Sequence, residues 1–274
     1  MTIRTAAALR ALHRPGDPLI LPNAWDAGSA RAVADAGFPA VATSSAAVAE
    51  ALGHADGEAT PVGEMFDAVA RVVRTVAVPV TADLERGYGL RPAELVERLL
   101  ATGAAGLNLE DSDPRTRELC DVDEQADLLA AVRAAAGEAL VVNARVDVFL
   151  RAGGDPAGGF DEGVRRARRY LAAGADCVYP ILLADPALVG RFVAEVGGPV
   201  NVMLRPDTPT VAELARLGVA RISLGSGVYA AARARAGAML TALAAGGDPF
   251  PGRPVPVSRA GAGRAGPGRH GAPR

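Results

Sequence analysis

Along the first 250 residues one pattern recurs: a helical segment, a glycine, and then a short apolar run that reads as a strand. It appears as "ARAVADAGFPAVATSS", "ELVERLLATGAAGLNLEDS", "VRRARRYLAAGADCVYPILL" and "TVAELARLGVARISLGSG". Gly37, Gly103, Gly174 and Gly218 each stand where a helix needs a left-handed cap before the chain turns into a strand. Further strands read as "LILPNA", "VPVTADLE", "ALVVNARVD" and "PVNVML". Strands are therefore expected near 19–24, 38–45, 78–85, 106–111, 140–147, 177–183, 199–204 and 221–226. Eight strands alternating with helices meet the requirement of a (β/α)8 TIM barrel, in the α/β class. A doubly wound open sheet is the alternative, but it wants a glycine-rich phosphate turn after the first strand, and "LPNAWDAGSA" supplies none.

In a barrel the chemistry lies at the C-terminal strand ends. Polar residues gather there, strand after strand: Asn23, Trp25 and Asp26; Thr43, Ser44 and Ser45; Asp83 and Glu85; Asn108, Glu110 and Asp111; Asn143, Arg145 and Asp147; Asn201; Ser223. The period of two puts Asp83 with Glu85, Asn108 with Glu110, and Asn143 with Arg145 and Asp147 on shared faces. A barrel with no site would fill such positions with Val, Ile and Leu, whereas a single polar residue there is an ordinary turn or cap.

Composition narrows the classes. The chain is 274 residues long with a formal charge of −2, and its basic residues are spread rather than clustered, which argues against a nucleic-acid partner. The exception is residues 251–274, with five arginines and no acid, which leaves the preceding body at −7. That tail reads as disordered, after a single barrel domain over 1–250. No apolar run reaches the roughly 20 residues of a membrane span and no leader is recognisable, so a cytoplasmic protein is expected. Cys120 and Cys177 read as free thiols. The chain contains no lysine, which excludes Schiff-base and pyridoxal-phosphate chemistry.

Asp83, Glu85 and Glu110 are expected to converge at neighbouring strand ends, and such a cluster needs a cation or raised pKa values. All-oxygen donors without a histidine or cysteine select a hard ion, Mg²⁺ or Mn²⁺. Arg145 offers a planar fork to a substrate carboxylate or phosphonate, or else a salt bridge to Asp147 or Glu110.

Taken in order, "LPNAWDAGSARAVADAGF", "VTADLERGYG", "GLNLEDS", "NARVDVF" and "PVNVM" resemble the isocitrate lyase/phosphoenolpyruvate mutase superfamily over roughly residues 15–240. The resemblance implies a Mg²⁺-dependent (β/α)8 enzyme that makes or breaks a C–C or P–C bond next to a pyruvate unit through an enolate held at the metal. It implies Asp83 as direct metal ligand, with Glu85 and Glu110 holding the metal through water. Ser45 and Ala46 then match the segment that holds the substrate carboxylate, and Trp25 an aromatic wall. Asp56, in "GHADGE", matches an acid on a mobile loop near the substrate, Arg145 the substrate clamp, and Asn201 of "PVNVM" a further substrate contact. Exchange of the last barrel helix between subunits, which the resemblance also implies, makes a homodimer or homotetramer the expected assembly.

Departures from the family pattern matter as well. Its C–C lyases carry Lys-x-Cys-Gly-His in a lid after the fourth strand, whereas Cys120 here is followed by Asp121 and Val122 with no lysine before it. "DLE" stands in place of the more usual "DxD". Three readings stay open: a lyase or decarboxylase of a small 2-oxo or 2-hydroxy diacid, a phosphonomutase or phosphonopyruvate hydrolase, and a non-catalytic binder of 2-oxo acids.

Overall fold

The computed structural model describes residues 5–153 and 155–250; the basic tail at 251–274 lies outside them. The chain falls into two compact units, Met1–Ala231 and Ala232–Arg274. Among the described residues the first holds nine strands: β1 (Leu19–Leu21), β2 (Asn23–Ala24), β3 (Val41–Thr43), β4 (Val80–Asp83), β5 (Gly106–Glu110), β6 (Val141–Val146), β7 (Cys177–Pro180), β8 (Asn201–Met203) and β9 (Arg221–Ser223).

These nine make the eight staves of a barrel. β1 and β2 are one stave, interrupted at Pro22, which has no N–H to give to a ladder. β1 pairs in parallel with β9, and β2 with β3. Parallel pairing then runs from β3 through β7, and β9 pairs with β8. A parallel bridge between Val178 and Val200 joins β7 to β8 and closes the ring. All eight expected strands are present, shortened at their ends.

The helix-to-strand glycines do what their position requires: Gly37, Gly103, Gly174 and Gly218 have φ of +88°, +81°, +100° and +84°, a region closed to most side chains. Along each stave outward positions are apolar and pack under the helices, as with Leu107 and Leu109, Val142 and Ala144, and Ile222. Inward positions form layers. At the N-terminal end Leu19, Leu21, Ala40, Ala42 and Val141 pack with Leu9 of the helix Ala6–Ala11 and plug the barrel. Toward the other end the inward positions turn polar, and there the cavity opens.

The helix Gly227–Ala244 spans the boundary between the two units and has no buried residue; Leu240 and Leu243, both in the second unit, are 66% and 55% exposed. Among the described residues no helix is long and apolar enough to cross a membrane.

Candidate active site

A cavity of about 570 Å³ opens at the C-terminal mouth of the barrel. Asp56, Asp83, Glu85, Glu110, Arg145, Ser45 and Ala46 all line it, as do Asn23, Asn108, Tyr179 and Ser223. The period-two rule accounts for Asp83, Asn108, Glu110, Arg145, Tyr179 and Ser223, which face the axis from the staves, while Ser45 and Ala46 open a helix and Asp56 and Glu85 stand on loops.

Asp83 is the most tightly positioned of the acids. Its Oδ2 accepts from the Ser45 backbone N–H (3.0 Å) and hydroxyl (2.9 Å), and its Oδ1 from Asn108 Nδ2 at 3.4 Å. Asn108 is fixed in turn, its Oδ1 accepting from Asn143 Nδ2 (2.8 Å) and Arg221 Nη2 (3.2 Å). Arg221 lies wholly out of solvent beneath the cavity, and burial lowers its pKa.

Glu85 stands just beyond β4 with a left-handed φ of +50°. Its Oε1 accepts from the Tyr88 hydroxyl and its Oε2 from the Glu58 N–H, each at 2.7 Å. Burial, helped by the charges of Asp56 and Asp83, pushes its carboxyl up to about 7. Glu110 is raised too, by burial and by Asp147, Asp83 and Glu85, against the opposing pull of Arg145. Asp56, exposed on the rim, is raised by burial of its carboxyl and by Asp83. The four acids thus repel one another across one cavity.

Arg145 departs from a freely offered fork. Its Nε and Nη2 donate to the two oxygens of Asp147 at 2.6 and 2.9 Å, and Nη2 also lies 2.5 Å from Glu110 Oε2. A guanidinium has five N–H groups, so those of Nη1 are the donors these carboxylates leave over. Asp147 itself is fully buried and accepts from Ser112 Oγ at 2.7 Å.

Two expected substrate contacts fall elsewhere. Asn201 does not line the cavity; it is fully buried in the layer below, where its Nδ2 donates to Ser223 Oγ at 3.2 Å. Trp25 lies outside the lining as well, its ring edge-on to Tyr229 at 5.0 Å, because β2 ends at Ala24 and the chain turns outward into a helix capped by Asp26. Ser45 lines the cavity but has its hydroxyl on Asp83. His54 pairs with Glu64 at 3.2 Å instead of facing the site.

Other strand-end polar groups are anchors. Outward-facing Asp111 accepts from Arg166 (3.0 Å), the Tyr170 hydroxyl (2.7 Å) and the Asp147 N–H (2.8 Å). Cys120 is buried and absent from the cavity lining, and the following Asp121 is the N-cap of the helix Val122–Ala136, accepting from the Asp123 and Glu124 N–H groups. A cap there occupies the place where the lyase lid has glycine and histidine. The site residue that strand-end reading missed is Tyr179: it alternates with Cys177 on β7, and the period of two was signal enough to find it.

Among the described residues no three or more His, Cys, Asp or Glu side chains are grouped so as to hold a metal directly. The all-oxygen donors Asp83, Glu85 and Glu110 would suit a hard cation, since such an ion characteristically keeps several waters and needs few direct protein ligands. Burial and the neighbouring carboxylates raise Glu85 and Glu110, and a cation placed among them would lower both.

A closed parallel barrel with acids and an arginine converging at its C-terminal mouth defines a barrel enzyme with an acid-lined site. The chain belongs to the phosphoenolpyruvate phosphomutase family, whose model matches residues 9–244. It is 37% identical over 229 residues to an uncharacterized protein of Mycobacterium tuberculosis, covering 81% of this chain and 85% of that one. It is 30% identical over 222 residues to an oxaloacetate decarboxylase of Ectopseudomonas mendocina, covering 77% and 74%. A solved structure of a candidate phosphonomutase from Burkholderia cenocepacia superposes with a TM-score of 0.84 at 48% identity, over 87% of this chain and all of that one.

Proposed function

We propose that this protein is a cytoplasmic, Mg²⁺- or Mn²⁺-dependent lyase or decarboxylase that cleaves a C–C bond of a small 2-oxo or 2-hydroxy diacid, leaving a pyruvate-type enolate. The observation that carries it is the cluster of Asp83, Glu85, Glu110 and Asp56 facing one cavity beside Arg145. The cation, when bound, supplies Lewis-acid stabilisation of charge developing on the substrate oxygens. Asp83, oriented by Ser45 and Asn108, would hold it, with Glu85 and Glu110 beside it. The N–H groups of Ala46, at the start of the helix Ser45–Leu52, and of Arg145 Nη1 take the substrate carboxylates.

A phosphonate reading is favoured by one further observation, the placement of Asp56 on the cavity rim close enough to Asp83 to be raised by it. There Asp56 faces a migrating or attacked phosphorus. Incubation with Mg²⁺ and a panel of oxaloacetate, alkylmalates, methylisocitrate and phosphonopyruvate separates the two, with pyruvate measured enzymatically and phosphorus followed by NMR. Release of pyruvate with no change in any P–C bond supports the lyase; consumption of phosphonopyruvate alone supports the phosphonate enzyme. Full turnover in excess chelator overturns the metal in both.

A further inference from the structure

An enolate left by C–C cleavage has to be protonated at C3, and the lid thiol that does such work in the lyases has no counterpart at this cavity. Among the described residues lining it there is no histidine, cysteine or lysine, and one phenol, Tyr179. Tyr179 is the third residue of β7 and the register partner of Arg145 on β6, so its side chain points inward beside the clamp. Only 5% of the residue is exposed. Ser223, whose Oγ accepts from Asn201 Nδ2 at 3.2 Å, lines the same cavity and is a polar neighbour of the phenol. Tyr179, Asn201 and Ser223 are inward residues of three consecutive staves, and the hydroxyl stands among polar side chains at the cavity wall.

The cavity acids are poorer donors. Glu85 has both oxygens engaged by Tyr88 and Glu58, and Glu110 is paired with Arg145. Asp56, on the rim, is the remaining competitor.

We propose that Tyr179 is a catalytic residue, the proton donor to C3 of the enolate formed in this cavity. The inference rests on the lyase or decarboxylase reading. When the C3–C4 bond of a 2-oxo diacid breaks, its electron pair passes into the C2–C3 enolate and C4 leaves as carbon dioxide. The Tyr179 O–H bond then breaks, its proton forms the new C3–H bond, and the C2 carbonyl re-forms. The phenolate regains its proton from solvent, so one solvent proton is consumed for each diacid converted. Burial holds the phenol up at about 12, which keeps it protonated at neutral pH, as a donor has to be.

The test uses the Mg²⁺-loaded full chain and pyruvate in D₂O, with exchange of the methyl protons followed by proton NMR, alongside cleavage of the panel substrate. Tyr179→Phe should lower both exchange and cleavage at least about 100-fold. Calorimetric affinity for oxalate, a planar dianion shaped like the enolate, should stay within about threefold, since the hydroxyl acts after binding. Ser223→Ala should cost an intermediate factor, about five- to tenfold, by loosening the same hydroxyl. If the wild type exchanges and cleaves but Tyr179→Phe keeps a third or more of both rates, Tyr179 is not the donor. The same conclusion follows if only Asp56→Asn abolishes exchange. If the wild type neither exchanges nor cleaves anything on the panel, the lyase reading falls and takes the donor with it.

Discussion

At the scale of single residues, the site separates groups that face the cavity from groups that hold them. Asp83→Ala removes the carboxylate proposed to bind the cation, and Mn²⁺ titration followed by electron paramagnetic resonance should show loss of the tight site. Arg145 calls for a gentler substitution, because removing it leaves Asp147 and Glu110 buried without their counter-charge, which costs roughly 3–5 kcal/mol and confuses folding with function. Arg145→Lys keeps the charge but loses the planar fork; turnover should fall at least about 100-fold while the far-UV spectrum is unchanged. Cys120→Ser is the contrast. Burial raises this thiol, with Glu124, Asp113 and Asp111 adding to the effect against Arg86, and its side chain does not reach the cavity. Steady-state kinetics should find at least about a tenth of wild-type activity, less than the 10²-fold loss of a general acid or base. A fall as deep as that of Arg145→Lys would return the lid thiol to the mechanism.

At the scale of elements, two loops are interlocked through Glu58. Its N–H donates to Glu85, while its Oε1 accepts from the N–H groups of Arg86 (3.1 Å) and Tyr88 (2.6 Å). Glu58, Glu85 and Tyr88 all have left-handed φ, at +58°, +50° and +57°, conformations that persist only when surrounding bonds hold them. The "RGYG" turn is thus tied to the loop that carries Asp56. Glu58→Ala should release both: amide exchange of Arg86 and Tyr88 accelerates, and stability falls by roughly 1–2 kcal/mol for two unpaired N–H groups. Exchange as slow as in the wild type would mean the turn is set by its own glycines. The apolar exposure of Leu240 and Leu243 belongs to this scale too; it is the kind of surface a second copy covers, and a homodimer or homotetramer is expected by light scattering at micromolar concentration.

At the scale of the whole molecule, stability should depend on pH through His13. Burial first, and then the charge of Arg221, lower its pKa from 6.5 to about 4, with the Leu9 carbonyl and Asp176 opposing and Arg10 adding to the shift. The folded state resists a proton that the unfolded chain accepts below about 6.5, so stability is full above that value and is lost as the pH falls toward 4. Urea titrations of the wild type and His13→Gln between those limits should diverge by roughly 2–3 kcal/mol in their pH dependence; parallel curves would remove His13 as the cause. Sequence by itself determined the repeat, because a helix, a left-handed glycine and an apolar strand can only be stacked in a few ways. It also determined which strand ends are chemical, because alternation sends Asp83, Asn108, Glu110 and Arg145 to one side whatever the barrel's details. Tertiary structure alone decided what each group is bonded to. Asp111 and Asp147 read in sequence like site acids, yet one faces outward onto Arg166 and the other lies fully buried behind Arg145. Asn201 and Trp25 were expected at the substrate, but strand lengths set depth, and one falls a layer too low while the other leaves with the turning chain. The period of two on β7 already turned Tyr179 inward, but the pairing register of β6 and β7, which no local pattern encodes, sets it beside Arg145.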